Sequence, residues 1–194
     1  MIIEGQAGSK GPSENRLLVF IPFDTIEMRV VDWMVYTCVD RGEPSRGDRR
    51  LSLSDREVIE SRIRDVNDAL QLLSHLMLRG FEELSVHEKL SMRYLVIQLV
   101  EASASICVRV LISLYNESIE SYAQCFYRVA AKGVIPGDLA HRLASAARLR
   151  NLLVHRYWAI SDRRVYESVK EGLRDFENYI RYVKMLLEGS CHDS

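Results

Sequence analysis

From Ser54 to about residue 188 the apolar residues recur every third or fourth position and never settle into the alternation of a strand. A chain patterned this way buries its apolar stripes helix against helix, which predicts an all-α bundle. Ser54 with Glu57, and Ser85 with Glu88, have the spacing of a capping box, in which a hydroxyl and a carboxylate satisfy the free N–H groups of a helix start. Helices are therefore expected to begin near 55 and 86. Gly80 and Gly133 stand where helix ends favour a residue tolerant of left-handed dihedrals. Five helices are expected, at about residues 55–78, 86–114, 119–132, 138–158 and 163–188.

The 194 residues give room for one domain and an appendage. Residues 1–15 and 41–50 (RGEPSRGDRR) are polar and read as linkers. Between them, residues 17–23 have the composition of a short strand and 26–39 that of a helix: an accessory element, or a start set too far upstream. The expected division is an N-terminal extension with flexible linkers over 1–52, a helical domain over 53–189 and a tail over 190–194. Hydrophobic residues at 47% and charged ones at 27% exclude collagen-like and wholly disordered chains. The net charge of -1 excludes a global pull toward nucleic acid or anionic membrane, so any polyanion site must be a local patch. No uninterrupted apolar run approaches the roughly 20 residues of a membrane span. Cys38, Cys107, Cys125 and Cys191 show no close pairing, and the first residues lack the basic start and apolar core of a signal peptide. A reducing cytoplasm is the expected location.

Two charges stand where a core should be. At about 100° per residue, Leu139, Leu143, Ala147, Val154 and Tyr157 of the fourth helix form one apolar stripe, and Arg150 lies in its middle. On the second helix Leu90, Tyr94, Ile97, Val108 and Ile112 group in the same way around Glu101. An unpaired ion on a buried face costs several kcal/mol, so Glu101 and Arg150 are expected to pair. A purely structural ion pair would meet the same requirement.

Arginines outnumber lysines 21 to 5, and six of them (142, 148, 150, 156, 163 and 164) fall between His141 and Arg164 with Asp162 as the one acid. This local excess of +5 would draw phosphate. His155, Tyr157 and Trp158 add an imidazole, a phenol and a ring on which a base could stack. A solvated basic face with aromatic packing residues is the plainer alternative, and Trp33 and Trp158 read as packing residues rather than cofactor contacts. On a straight helix Tyr157 projects within about 20° of Arg150, but His155 points about 140° away. Either the helix ends or distorts near 155, or two copies build the site across a two-fold interface; the second is favoured, since homodimers are the commonest oligomers.

Residues 150–157, RNLLVHRY, resemble the R-x4-H-x-Y signature of HEPN-domain proteins, in particular the HepT-type toxins. The surrounding RLRNLLVHRYW, the segment YAQCF at 122–126, Gly133-Val134-Ile135 and DRRVY at 162–166 extend the resemblance over about residues 55–188. It implies a HEPN-like helical bundle that dimerises and acts as the toxin of a type VII toxin–antitoxin pair, a metal-independent ribonuclease at the dimer cleft. It makes Arg150 and His155 the catalytic pair, with Asn151 assisting and Glu101 the acidic residue beside them. Arg148, Arg156 and Trp158 become candidate RNA contacts. The implied partner is a minimal nucleotidyltransferase antitoxin that silences the toxin by transferring AMP to the motif tyrosine, here Tyr157. Residues 1–52 inherit nothing from the resemblance.

The residue types suit that chemistry. Cleaving RNA without metal requires a proton taken from the ribose 2′-OH, charge stabilised on the phosphate and a proton given to the leaving oxygen; imidazole can act as base or acid, and guanidinium can hold the phosphate. No metal and no cofactor is expected: His75, His87, His141 and His155 make no ligand spacing, and neither a phosphate-binding glycine loop nor G-x-S-x-G is present. The rival expectation is a non-catalytic HEPN module that binds a nucleotidyltransferase or its nucleotide.

Overall fold

In the computed structural model residues 51–189 are described. The expected strand at 17–23, helix at 26–39, linkers at 1–15 and 41–50 and tail at 190–194 lie outside the described residues. Within them the chain forms five helices: α1 (Leu53–Leu76), α2 (Val86–Tyr115), α3 (Tyr122–Ala131), α4 (Gly137–His155) and α5 (Asp162–Gly189), with short 3-10 turns at Phe81–Glu83 and Tyr157–Ala159. The all-α expectation holds, and the boundaries differ where local chemistry outweighs periodicity.

Ser85 and Glu88 form the expected capping box at α2. At α1 the cap is Ser52 rather than Ser54: its Oγ accepts from the Asp55 N–H at 3.1 Å and donates to the Asp55 carboxylate, so the helix starts earlier. Ser121 caps α3, accepting from the Gln124 N–H. Gly133 adopts the left-handed conformation (φ 76°), and the bonds Gly133 N–H to Ala130 C=O and Val134 N–H to Val129 C=O close a Schellman motif. Gly80 does not play this role; it is extended (φ -66°, ψ 153°) and opens the Phe81–Glu83 turn, while α1 ends at Met77 in right-handed geometry.

Helix α2 touches each of the other four helices. Asp55 at the start of α1 meets Arg109 late in α2, and Arg79 just past α1 meets Glu88 early in α2, so the two run antiparallel. Ile59, Ile63, Val66, Leu70 and Leu73 of α1 are buried with helical spacing, and α1 packs chiefly on α2. On α5, Tyr179 is buried; its hydroxyl donates to the Ser103 carbonyl at 3.1 Å and its ring meets Phe126 edge to face. Burial pushes that phenol well above its ordinary range, so it stays a donor. An 18-residue window of α2 is apolar enough to pass for a membrane span, and 67% of it is buried inside the bundle, as a central core helix requires.

Two expectations are corrected here. The stripe around Glu101 is not uniformly core: Val108 is buried, but Leu90, Tyr94 and Ile112 are 57%, 66% and 41% exposed. Helix α2 is apolar nearly all round, and the core takes the opposite side through Met92, Val96, Leu99 and Val100. The cysteines, unpaired by spacing, are paired by packing: Cys107 of α2 and Cys125 of α3, both fully buried and 18 residues apart, form a disulfide.

Candidate functional site

Glu101 and Arg150 form the expected ion pair, joining α2 to α4 through Oε1 and Nη2. The arginine side chain is 12% exposed and the glutamate 33%, so the pair sits at the edge of the core. The second carboxylate oxygen of Glu101 accepts from the Tyr122 hydroxyl at 2.5 Å. Burial, then the hydrogen bond and charge of Glu101, push the Tyr122 phenol up and keep it protonated. The Arg150 guanidinium lies 5.7 Å from the Tyr122 ring centroid, its Nη1 donates to Asn151 Oδ1 at 3.1 Å, and its Nε is buried without a hydrogen-bond partner. Tyr122 was not expected as a site residue. It opens α3, and only the docking of α3 on α2 brings it to Glu101.

His155 is the last residue of α4 and is exposed. The fourth helix stops here rather than near 158: Arg156 leaves helical geometry (φ -142°, ψ 43°), and Tyr157–Ala159 form a 3-10 turn. The first of the two expected alternatives therefore holds, since the helix ends at 155, and no hydrogen bond joins Arg150 to His155. Tyr157, placed by periodicity on the core stripe, lies past the helix end and is 61% exposed; Trp158, read as packing, is 70% exposed, and the two rings meet edge to face.

The turn is tied down by a residue that sequence reasoning missed. Arg93 of α2 donates from Nη1 to the Tyr157 carbonyl at 2.9 Å, from Nη2 to the Ile160 carbonyl at 2.8 Å and from Nε to the Asp162 carboxylate. A lone arginine in the apolar first half of α2 was the available signal.

The basic patch is smaller than its count. Arg142 pairs with Asp138 and Asp175, Arg163 with Glu82 and Arg150 with Glu101, acids that the fold brings from outside residues 141–164. Arg148 instead meets neutral acceptors, the Tyr127 hydroxyl at 3.0 Å and Ser145 Oγ at 3.3 Å, so its charge is uncompensated; Arg156 and Arg164 are exposed. Asn151 is exposed beside Arg150. Among the described residues no cluster of three or more His, Cys, Asp or Glu side chains could hold a metal ion.

A family model described as ribonuclease HepT-like matches residues 62–183. No curated protein shows significant sequence similarity to the chain. Among solved structures, the fold is similar to that of a toxin–antitoxin with AMP-PNP (TM-score 0.62, 20% identity, 66% of this chain and 98% of that one). It is similar to a tri-AMPylated Shewanella oneidensis HEPN toxin in complex with MNT antitoxin (TM-score 0.62, 21% identity, 66% and 97%). It also resembles YutE, a cytosolic protein of unknown function from Bacillus subtilis (TM-score 0.61, 17% identity, 70% and 92%). At these identities the likeness is one of fold.

Proposed function

Because the chain belongs to the HepT-like ribonuclease family, we propose that it is the toxin of a type VII toxin–antitoxin pair, a metal-independent endoribonuclease that a nucleotidyltransferase antitoxin silences by AMP transfer to Tyr157. The observation that carries this reading is the R-x4-H-x-Y segment with its Arg150 locked to Glu101 and its Tyr157 displayed on an exposed turn. In cleavage, His155 moves the proton while the 2′-oxygen attacks phosphorus and the P–O5′ bond breaks, and Arg150 carries the growing charge on the phosphate. Asn151 orients the guanidinium; Arg148, Arg156 and Trp158 hold flanking nucleotides. In silencing, the Tyr157 oxygen attacks the α-phosphorus of ATP, pyrophosphate leaves and the phenolic proton is lost to solvent.

Within one chain Arg150 bonds to Asn151 and Glu101 and not to His155, in keeping with a composite site in a homodimer. The exposed Leu90 and Tyr94, next to the Arg93 that holds the motif turn, offer an apolar face for a second copy.

The inward tie of Arg150 favours a second reading, a non-catalytic module that binds a nucleotidyltransferase. RNA cleavage with EDTA present, comparing wild type with Arg150→Ala and His155→Ala as folded dimers, separates the two. The ribonuclease reading expects cleavage by wild type and a fall of about 100-fold or more in each variant. Equal inactivity of all three on several RNAs would leave the binding module.

A further inference from the structure

The segment after α4 is nearly all surface. Tyr157, Trp158 and Ala159 are exposed, and a bond from the Ala159 N–H to the Arg156 carbonyl at 2.8 Å closes the turn locally. Arg93, 64 residues upstream of Tyr157, ties this segment to the bundle. Its side chain is 18% exposed, and the preceding Met92 is fully buried, so the guanidinium projects from a well-anchored stretch of α2.

A guanidinium is planar and presents its N–H groups in a fixed fork, so acceptors bound to Nε, Nη1 and Nη2 together define a position and an orientation. Here they are the Asp162 carboxylate and the carbonyls of Tyr157 and Ile160, spread across the turn and the start of α5. A lysine ammonium, a single point on a flexible stem, cannot reproduce that arrangement.

We propose that Arg93 is a positioning residue for the motif: by holding both ends of the 157–162 segment it fixes where α4 stops, and so sets His155 for RNA cleavage and the Tyr157 hydroxyl for AMP transfer. This rests on the ribonuclease reading for its chemical consequence, although the tie itself does not. The acceptors lie on a surface turn where water can replace Arg93, so losing it releases the turn while the bundle stands.

The test uses the full chain with Trp33→Phe, which leaves Trp158 as the one tryptophan, and adds Arg93→Ala, Arg93→Lys or Asp162→Asn. Melting temperature reports the bundle, Trp158 fluorescence anisotropy reports the turn, and kcat and KM on a short single-stranded RNA with EDTA report the chemistry. Arg93→Ala is expected to keep its helical signal, lose Trp158 anisotropy and drop about 10–100-fold in kcat with KM within about threefold. Millimolar guanidinium should restore part of that kcat in Arg93→Ala but not in Arg93→Lys. Asp162→Asn, with two acceptors intact, should show the same changes in smaller degree, and it decides the matter if Arg93→Ala fails to fold. Unchanged anisotropy and kcat in the variants would overturn the proposal. If the Arg93 protein itself cleaves no RNA, the ribonuclease reading falls, and anisotropy alone then decides whether Arg93 positions the turn.

Discussion

Glu101 meets two partners of different character, the Arg150 guanidinium in an ion pair and the Tyr122 hydroxyl in a neutral hydrogen bond. Glu101→Gln keeps the shape and removes the charge, leaving the guanidinium at the core edge uncompensated. A loss of about 2–3 kcal/mol is expected in denaturant melts, below the 3–5 of fully buried pairs because the glutamate is a third exposed. That Glu101 and Arg150 meet was legible in the sequence, since two ions on two apolar stripes have few ways to avoid isolation. Tyr122 was not, because a tyrosine in an amphipathic segment carries no sign of which acceptor it will find. The side on which Tyr157 emerges was misjudged for a related reason: angular arithmetic holds only as far as the helix does, and α4 ends two residues short of it.

Helix ends and helix-to-helix ties show the same division between local and distant signals. The Ser85–Glu88 box was legible because all its atoms lie within one turn. Hydrogen bonds from the Ser85 backbone N–H and hydroxyl, then Arg79, hold the Glu88 carboxyl down at about 2, from an ordinary 4.5. A carboxyl held lower in the folded chain than in the unfolded one stabilises the fold above the unfolded value, and that contribution fades as pH falls from about 4.5 toward 2. Glu88→Gln should therefore melt below wild type at pH 6, with the gap narrowing as pH falls below about 4.5 and closing only near pH 2 in paired thermal melts. The Cys107–Cys125 bond was not legible, since 18 residues of separation give no local pattern and the pair forms because α3 docks on α2. A loop of that size is worth about 3 kcal/mol. Cys125→Ala should lose about that much in denaturant melts, and dithiothreitol should destabilise wild type but not the variant.

At the scale of the whole molecule, the bundle class followed from periodicity, but which face of α2 would be covered did not, because a helix apolar all round leaves the choice to its neighbours. The uncovered part, Leu90 and Tyr94, bears on association. If the chain dimerises through this face as proposed, Tyr94→Arg is expected to shift it from dimer to monomer in light scattering, with circular dichroism unchanged and RNA cleavage reduced at least tenfold. The display of Tyr157 on a surface turn has a consequence in time. A phenol that solvent already reaches can be met by a modifying enzyme without any helix opening first. If AMP transfer to Tyr157 takes place as proposed, its rate would be indifferent to the slow breathing of the bundle.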